Sequence, residues 1–122
     1  MHKNLEQIRA ADALTPAKTL NKAAVNKLPA MIINNGLLAT AAFCQSESDG
    51  NNRTEMATAL DATAQHLAGR GILKAGTATT EAMIADLSLR DSHELQRATA
   101  EALAFIGYLK RFAKKSKKQP EE

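Results

Sequence analysis

Residues 27–43 read KLPAMIINNGLLATAAF. The run is one of the most apolar in the chain, yet a proline stands near its start and Asn34-Asn35-Gly36 at its centre. Asn-Gly suits the type I′ turn of a β-hairpin. A half-buried strand, however, alternates apolar and polar residues, and LLATAAF at 37–43 does not. Helical spacing fits better. Leu28, Ile32, Gly36, Ala39 and Phe43 form one stripe, with Ile33, Leu37 and Thr40 beside it. Pro29 then falls in the first turn, where its missing N–H costs nothing. Gly36 lies on the buried stripe at a cost of about 1 kcal/mol against Ala, which close approach of another helix would offset. The stretch is expected to be helical.

Helical patterns extend on both sides. From Lys3 to about Leu14, Leu5, Ile8 and Ala11 recur at three-residue spacing. Thr15-Pro16 is either the start of a second segment or a kink. After Phe43, CQSESDGNNR is rich in turn formers and reads as a loop. Asn52-x-x-Glu55 resembles a capping box for a helix carrying Met56, Leu60, Thr63, Ala64 and Leu67, ended by Gly69-Arg70-Gly71. Thr77–Thr80 opens a short helix with Met83, Ile84 and Leu87. Asp91-x-x-Glu94 caps the longest helix, roughly Ser92 to Lys115, with Leu95, Ala98, Ala102, Ile106, Leu109 and Phe112 inward. Leu103 and Phe105 widen that face, so this helix is expected to be contacted on two sides. The fold class is all-α: a compact single-domain bundle of five or six helices over residues 1–115, with a mobile charged tail at 116–122.

Composition agrees. The chain has 122 residues, 3% aromatic and without Trp, so its core must rest on Leu, Ile, Met and Ala. Cys44 is the one cysteine, which excludes an internal disulfide and points to a reducing compartment. MHKNLEQIRAAD lacks the apolar core of a signal peptide, and no run approaches the roughly 20 apolar residues of a membrane span. A soluble, cytoplasmic protein without membrane association is expected.

Few residues propose chemistry. Asp91-Ser92-His93-Glu94 groups three potential metal ligands, but adjacent helical side chains point about 100° apart and capping explains them better. His2, His66 and His93 are far apart and read as surface or cap histidines. Gly71 and Gly76 have the spacing of a P-loop, but Thr77-Ala78 stand where Lys and Ser/Thr are needed. Cys44 ends an apolar run without a nearby base and reads as a small buried hydrophobe. No active site and no cofactor are expected.

The C-terminal YLKRFAKKSKK differs. Net charge is +3, but Lys110, Arg111, Lys114, Lys115, Lys117 and Lys118 crowd one end with no acid among them. A helix C-terminus favours one or two cations; six exceed that. Lys110, Arg111, Lys114 and Lys118 can share one side of the helix. A solvated helix end and a nucleic-acid backbone contact both remain open. Arg111 could alternatively form a structural ion pair.

Two segments carry a resemblance. LPAMIINNGLLATAAF and RATAEALAFIGYLKRFA are similar to the small subunit of the type III-B CRISPR effector, the Cmr complex. The matching positions are Leu28-Pro29, Ile32 and Asn35-Gly36-Leu37 in the first, and Thr99, Glu101 and Leu109-Lys110-Arg111-Phe112-Ala113 in the second. Tyr108 departs from the pattern, where the family often has Trp. The segments, about Asn26–Phe43 and Gln96–Ala113, span somewhat under a third of the chain; Ser46–Arg90 matches only in layout.

The resemblance implies an all-helical, non-catalytic subunit. Several copies line up beside the backbone subunits and help shape the groove holding guide RNA and target RNA. Implied partners are the backbone and large subunits, both RNAs and neighbouring copies of itself. Sequence would be read by base pairing, leaving this chain only phosphate contacts, for which helical Lys and Arg suffice. Lys110, Arg111 and Lys114 are the expected RNA-binding residues. Lys22 and Lys27 are added because they precede the Leu28-Pro29 segment. The alternative is a helical protein-interaction adaptor that binds no nucleic acid.

Overall fold

The computed structural model describes residues 3–46 and 51–114, with the backbone alone for 51–53. The expectations on His2, Lys115, Lys117, Lys118, the tail at 116–122 and the side chain of Asn52 lie outside the described residues. Among those described, helices account for every named element: α1 (Leu5–Ala17), α2 (Lys22–Val25), α3 (Leu28–Asn35), α4 (Leu37–Gln45), α5 (Asn51–Gly69), α6 (Thr80–Leu87) and α7 (Ser92–Phe112). Since α2 is a single turn of four residues, six longer helices form the expected all-α bundle.

Local chemistry sets each boundary. Asn4 and Gln7 cap α1 reciprocally: the Gln7 N–H donates to Asn4 Oδ1 at 2.8 Å, and the Asn4 N–H to Gln7 Oε1 at 2.9 Å. Pro16 does not start a second helix. It sits in the last turn of α1, which then unwinds through Lys18 N–H to Thr15 O and Thr19 N–H to Pro16 O. At the end of α5, Gly71 takes a φ of 77°. Ile72 N–H donates to Leu67 O at 2.9 Å, and Gly71 N–H to Ala68 O at 3.0 Å. This is a Schellman ending, with the apolar pair Leu67 and Ile72 buried across it. Asp61 of α5 receives both the Thr80 N–H (2.7 Å) and the Thr80 hydroxyl (2.8 Å), tying the start of α6 to α5. At α7 the Asp91 carboxylate accepts the Glu94 N–H at 2.9 Å.

The 27–43 stretch is helical but not one helix. Gly36, at φ 95° and ψ 158°, separates α3 from α4. A non-glycine residue rarely adopts that backbone. The break rotates the buried face: Leu28 and Ile32 point inward from α3, but Leu37, Thr40, Ala41 and Cys44 do so from α4, while Ala39 and Phe43 are exposed. The expected close approach at Gly36 is absent, because a Cβ there would have no atom within 4 Å. Glycine is needed for the turn, not for space.

Helix α7 is the axis of the molecule. It packs against α1, α2, α3 and α5, which explains its wide apolar face. Ala98, Ala102, Phe105, Ile106 and Leu109 are fully buried, whereas Phe112, expected inside, is 39% exposed near the helix end. Burial of such large side chains is worth about 1.5–3 kcal/mol each, so α7 anchors the core.

Candidate nucleic-acid interface

The chain leaving α7 does not turn into solvent. Lys22 N–H donates to Lys114 O at 2.7 Å and Lys114 N–H donates to Leu20 O at 3.2 Å, forming a short parallel bridge at Asn21 and Lys114. The turn that receives it is itself fastened. Asn21 Oδ1 accepts the Ala23 N–H at 2.7 Å, and the Asn21 N–H donates to Glu55 Oε1 at 2.8 Å. Glu55, expected to complete a capping box on its own helix, thus serves the start of α2 across the bundle. The consequence for charge is direct. Lys22, at the first position of α2, is brought beside Lys114, next to the exposed Lys110 and Arg111 of the last α7 turn.

Lys27 is also exposed, immediately before α3. Among the described residues none of Lys22, Lys27, Lys110, Arg111 and Lys114 has an acidic partner within 4.0 Å. The structural ion pair considered for Arg111 is therefore not formed among them. Arg111 instead lines an open cleft with Glu6, Ala104, Gly107 and Tyr108. The Tyr108 ring lies tilted against Phe112 at 6.1 Å.

Arg90 pairs with Asp86 and Glu94, and the other paired charges lie in a cluster the sequence did not announce. His66, expected at the surface or at a cap, is buried on α5. Its Nδ1 lies 2.7 Å from Asp12 Oδ2 and its Nε2 lies 2.8 Å from Glu101 Oε2. Each ring nitrogen thus meets a carboxylate oxygen. The ring stacks on Phe105 at 4.3 Å and 8°. Glu101 also takes Arg9 in a two-pronged contact, Nε at 2.9 Å and Nη2 at 2.7 Å. Asp12 and Arg9 belong to α1, His66 to α5 and Glu101 to α7, so the cluster staples three helices.

Burial pushes the Glu101 carboxyl up, but the hydrogen bonds from Arg9 and then His66 outweigh it and hold the carboxyl below its ordinary range. Glu101 in turn raises the Arg9 guanidinium above its ordinary value, chiefly through the hydrogen bond. One signal could have revealed the cluster: Glu101 falls on the inward face of α7, between Ala98 and Phe105. An acid there demands buried partners.

Other candidates resolve as packing. Cys44 is 3% exposed. His93 is exposed just inside the α7 cap. Gly71 to Gly76 lie in the connection between α5 and α6. Among the described residues no group of three or more His, Cys, Asp or Glu is arranged to hold a metal ion, and no helix is long and apolar enough to cross a membrane.

The family model described as CRISPR-associated protein (Cas_Cmr5) matches residues 1–116, which include both α7 and the Gly36 break. No curated protein and no solved structure gives a significant match. A match over nearly the whole chain, on an all-helical fold, makes the two-segment resemblance a statement about the entire molecule. The chain belongs to the CRISPR-associated protein (Cas_Cmr5) family, as a structural small subunit of a type III-B CRISPR effector complex.

Proposed function

We propose that this subunit lines the guide–target RNA groove of its complex, holding RNA through sequence-independent phosphate contacts and supporting assembly in antiviral defence without catalysis of its own. The observation that carries the reading is the Lys22–Lys114 backbone bridge. It brings the half-exposed Lys22 beside Lys114, which follows the exposed Lys110 and Arg111, and none of the four has an acidic partner among the described residues. Lys110, Arg111 and Lys114 make the main phosphate contacts, with Lys22 and Lys27 extending them. The basic positions 115, 117 and 118 add diffuse attraction. Unpaired Lys and Arg on a helix end suffice for a protein that must hold any sequence, and the scarcity of aromatic residues suits a role without base stacking.

Assembly draws on a different surface. An apolar groove runs between the α3–α4 break and the first half of α7, lined by Leu37, Leu38, Leu95, Thr99 and Leu103. It suits contact with the backbone and large subunits or with a neighbouring copy. The same groove is what favours the second reading, an adaptor that binds no nucleic acid. Charge reversal separates the two. A complex carrying K110E, R111E and K114E should retain RNA less well, and the log–log salt slope should flatten by roughly 2 to 3. Wild-type retention and slope in a complex that still assembles would leave the adaptor.

A further inference from the structure

A second group of arginines lies away from the C-terminal patch. Between α1, the end of α5 and α7 is a cleft of about 260 Å³ lined by Leu5, Arg9, Arg70, Ile72, Arg97 and Glu101. Three arginines line it against one acidic residue. That carboxylate, Glu101, is already engaged by Arg9 and His66. It fixes the plane of the Arg9 guanidinium through Nε and Nη2, leaving Nη1 with no partner among the described residues. Arg70 stands just past the last residue of α5, held by the Schellman ending whose Ile72 lines the cleft. Arg97 is exposed on the second turn of α7. Neither Arg70 nor Arg97 has an ion-pair partner among the described residues.

We propose that this cleft, with Arg9 fixed at its back and Arg70 and Arg97 at its rim, is a phosphate-binding pocket that seats a backbone phosphate of RNA. Planar guanidinium forks match phosphate oxygens in pairs. Converging cations that are not neutralised by one another's partners leave a site electropositive and ready for an anion. The position on α7 favours a nucleic-acid phosphate. Arg97 and Arg111 are 14 residues apart, which is about 21 Å along the axis and within roughly 40° of the same side. The clefts at the two arginines also adjoin the same first turn of α1, through Leu5 at one and Glu6 at the other. One strand running along that side of α7 meets cations at both ends.

The inference rests on the RNA-binding reading above, and the experiment separates the two. The full chain is titrated with a fluorescently labelled oligouridylate across a salt series, as wild type, R70Q/R97Q, R70K/R97K and K110E/R111E/K114E. Arg9 is left intact because it holds Glu101. Thermal melts confirm that each variant is folded. R70Q/R97Q should weaken binding and lower the log–log salt slope by about 0.7 for each lost phosphate contact. R70K/R97K should keep most of the slope but lose affinity, since the charge remains and the fork does not. Equal binding of 5′-phosphorylated and 5′-hydroxyl RNA supports an internal phosphodiester. A preference for the 5′-phosphate, or full displacement by inorganic phosphate, would replace it with a terminal or free phosphate and overturn the backbone assignment. Unchanged binding by R70Q/R97Q, with binding reduced in K110E/R111E/K114E, overturns the pocket and leaves the RNA-binding reading standing. No RNA binding by wild type overturns both. RNA-independent loss of complex assembly by R70Q/R97Q would assign the arginines to a protein carboxylate instead and overturn the proposal.

Discussion

At the scale of single residues, two buried polar groups set opposite expectations. Glu101 is enclosed, with Arg9 on both oxygens and His66 sharing Oε2. Glu101→Ala removes an acceptor from both and should destabilise the fold by about 3 kcal/mol, read as a lower denaturant midpoint at neutral pH. The pH dependence follows from the same contacts. The folded-state carboxyl is held below its ordinary value, so its stabilisation is present above that value and lost as pH falls through the depressed one. Glu101→Gln should flatten this acid-side decline; a decline as steep as wild type would assign it to other carboxylates. Thr40 is the reverse case. Its hydroxyl is buried, and Oγ1 has no hydrogen-bond partner among the described residues. Thr40→Val keeps the shape and removes the unmet group, so it should raise stability by about 1 kcal/mol in the same denaturation assay.

At the scale of elements, the caps and periodicities were legible and the break in the 27–43 stretch was only half so. Apolar spacing correctly excluded a hairpin, and Pro29 correctly marked a first turn. Spacing could not show that Gly36 leaves helical geometry, because a glycine continues a stripe on paper as easily as it ends one. Backbone angle, not packing, decides its identity. Gly36→Ala should therefore cost about 2 kcal/mol despite the open space around a new Cβ. A cost near the ordinary helix-interior value of about 1 kcal/mol would mean that α3 and α4 can join into one helix. Pro16 shows a similar limit. The dipeptide Thr15-Pro16 signals a boundary, but only the neighbouring turn reveals that it falls one residue before the helix ends. The His66 cluster was legible only at one member, the acid at 101 on the inward face of α7. Its members come from three helices, and no spacing along one chain segment brings Asp12, His66 and Glu101 together.

At the scale of the whole molecule, the fold class was readable from helical spacing along the chain and the family from two short segments, and the family match extends over residues 1–116. The charged surface was readable only in part. Lys110, Arg111 and Lys114 stand out as a run in sequence, whereas the placement of Lys22 beside them depends on a bridge between distant backbone segments. Helix α7 anchors the core with one face, carries cations at its end, and lines the proposed arginine pocket along its side. The central claim is that the subunit touches RNA through this basic surface. The most direct test is to purify the complex from its host with photoreactive RNA incorporated, crosslink, and map the modified peptides of this subunit. The account predicts crosslinks on peptides containing Lys110, Arg111 and Lys114, and on those containing Lys22 and Lys27. Crosslinks confined to the other subunits, from a complex that demonstrably contains this one and its RNA, would contradict it.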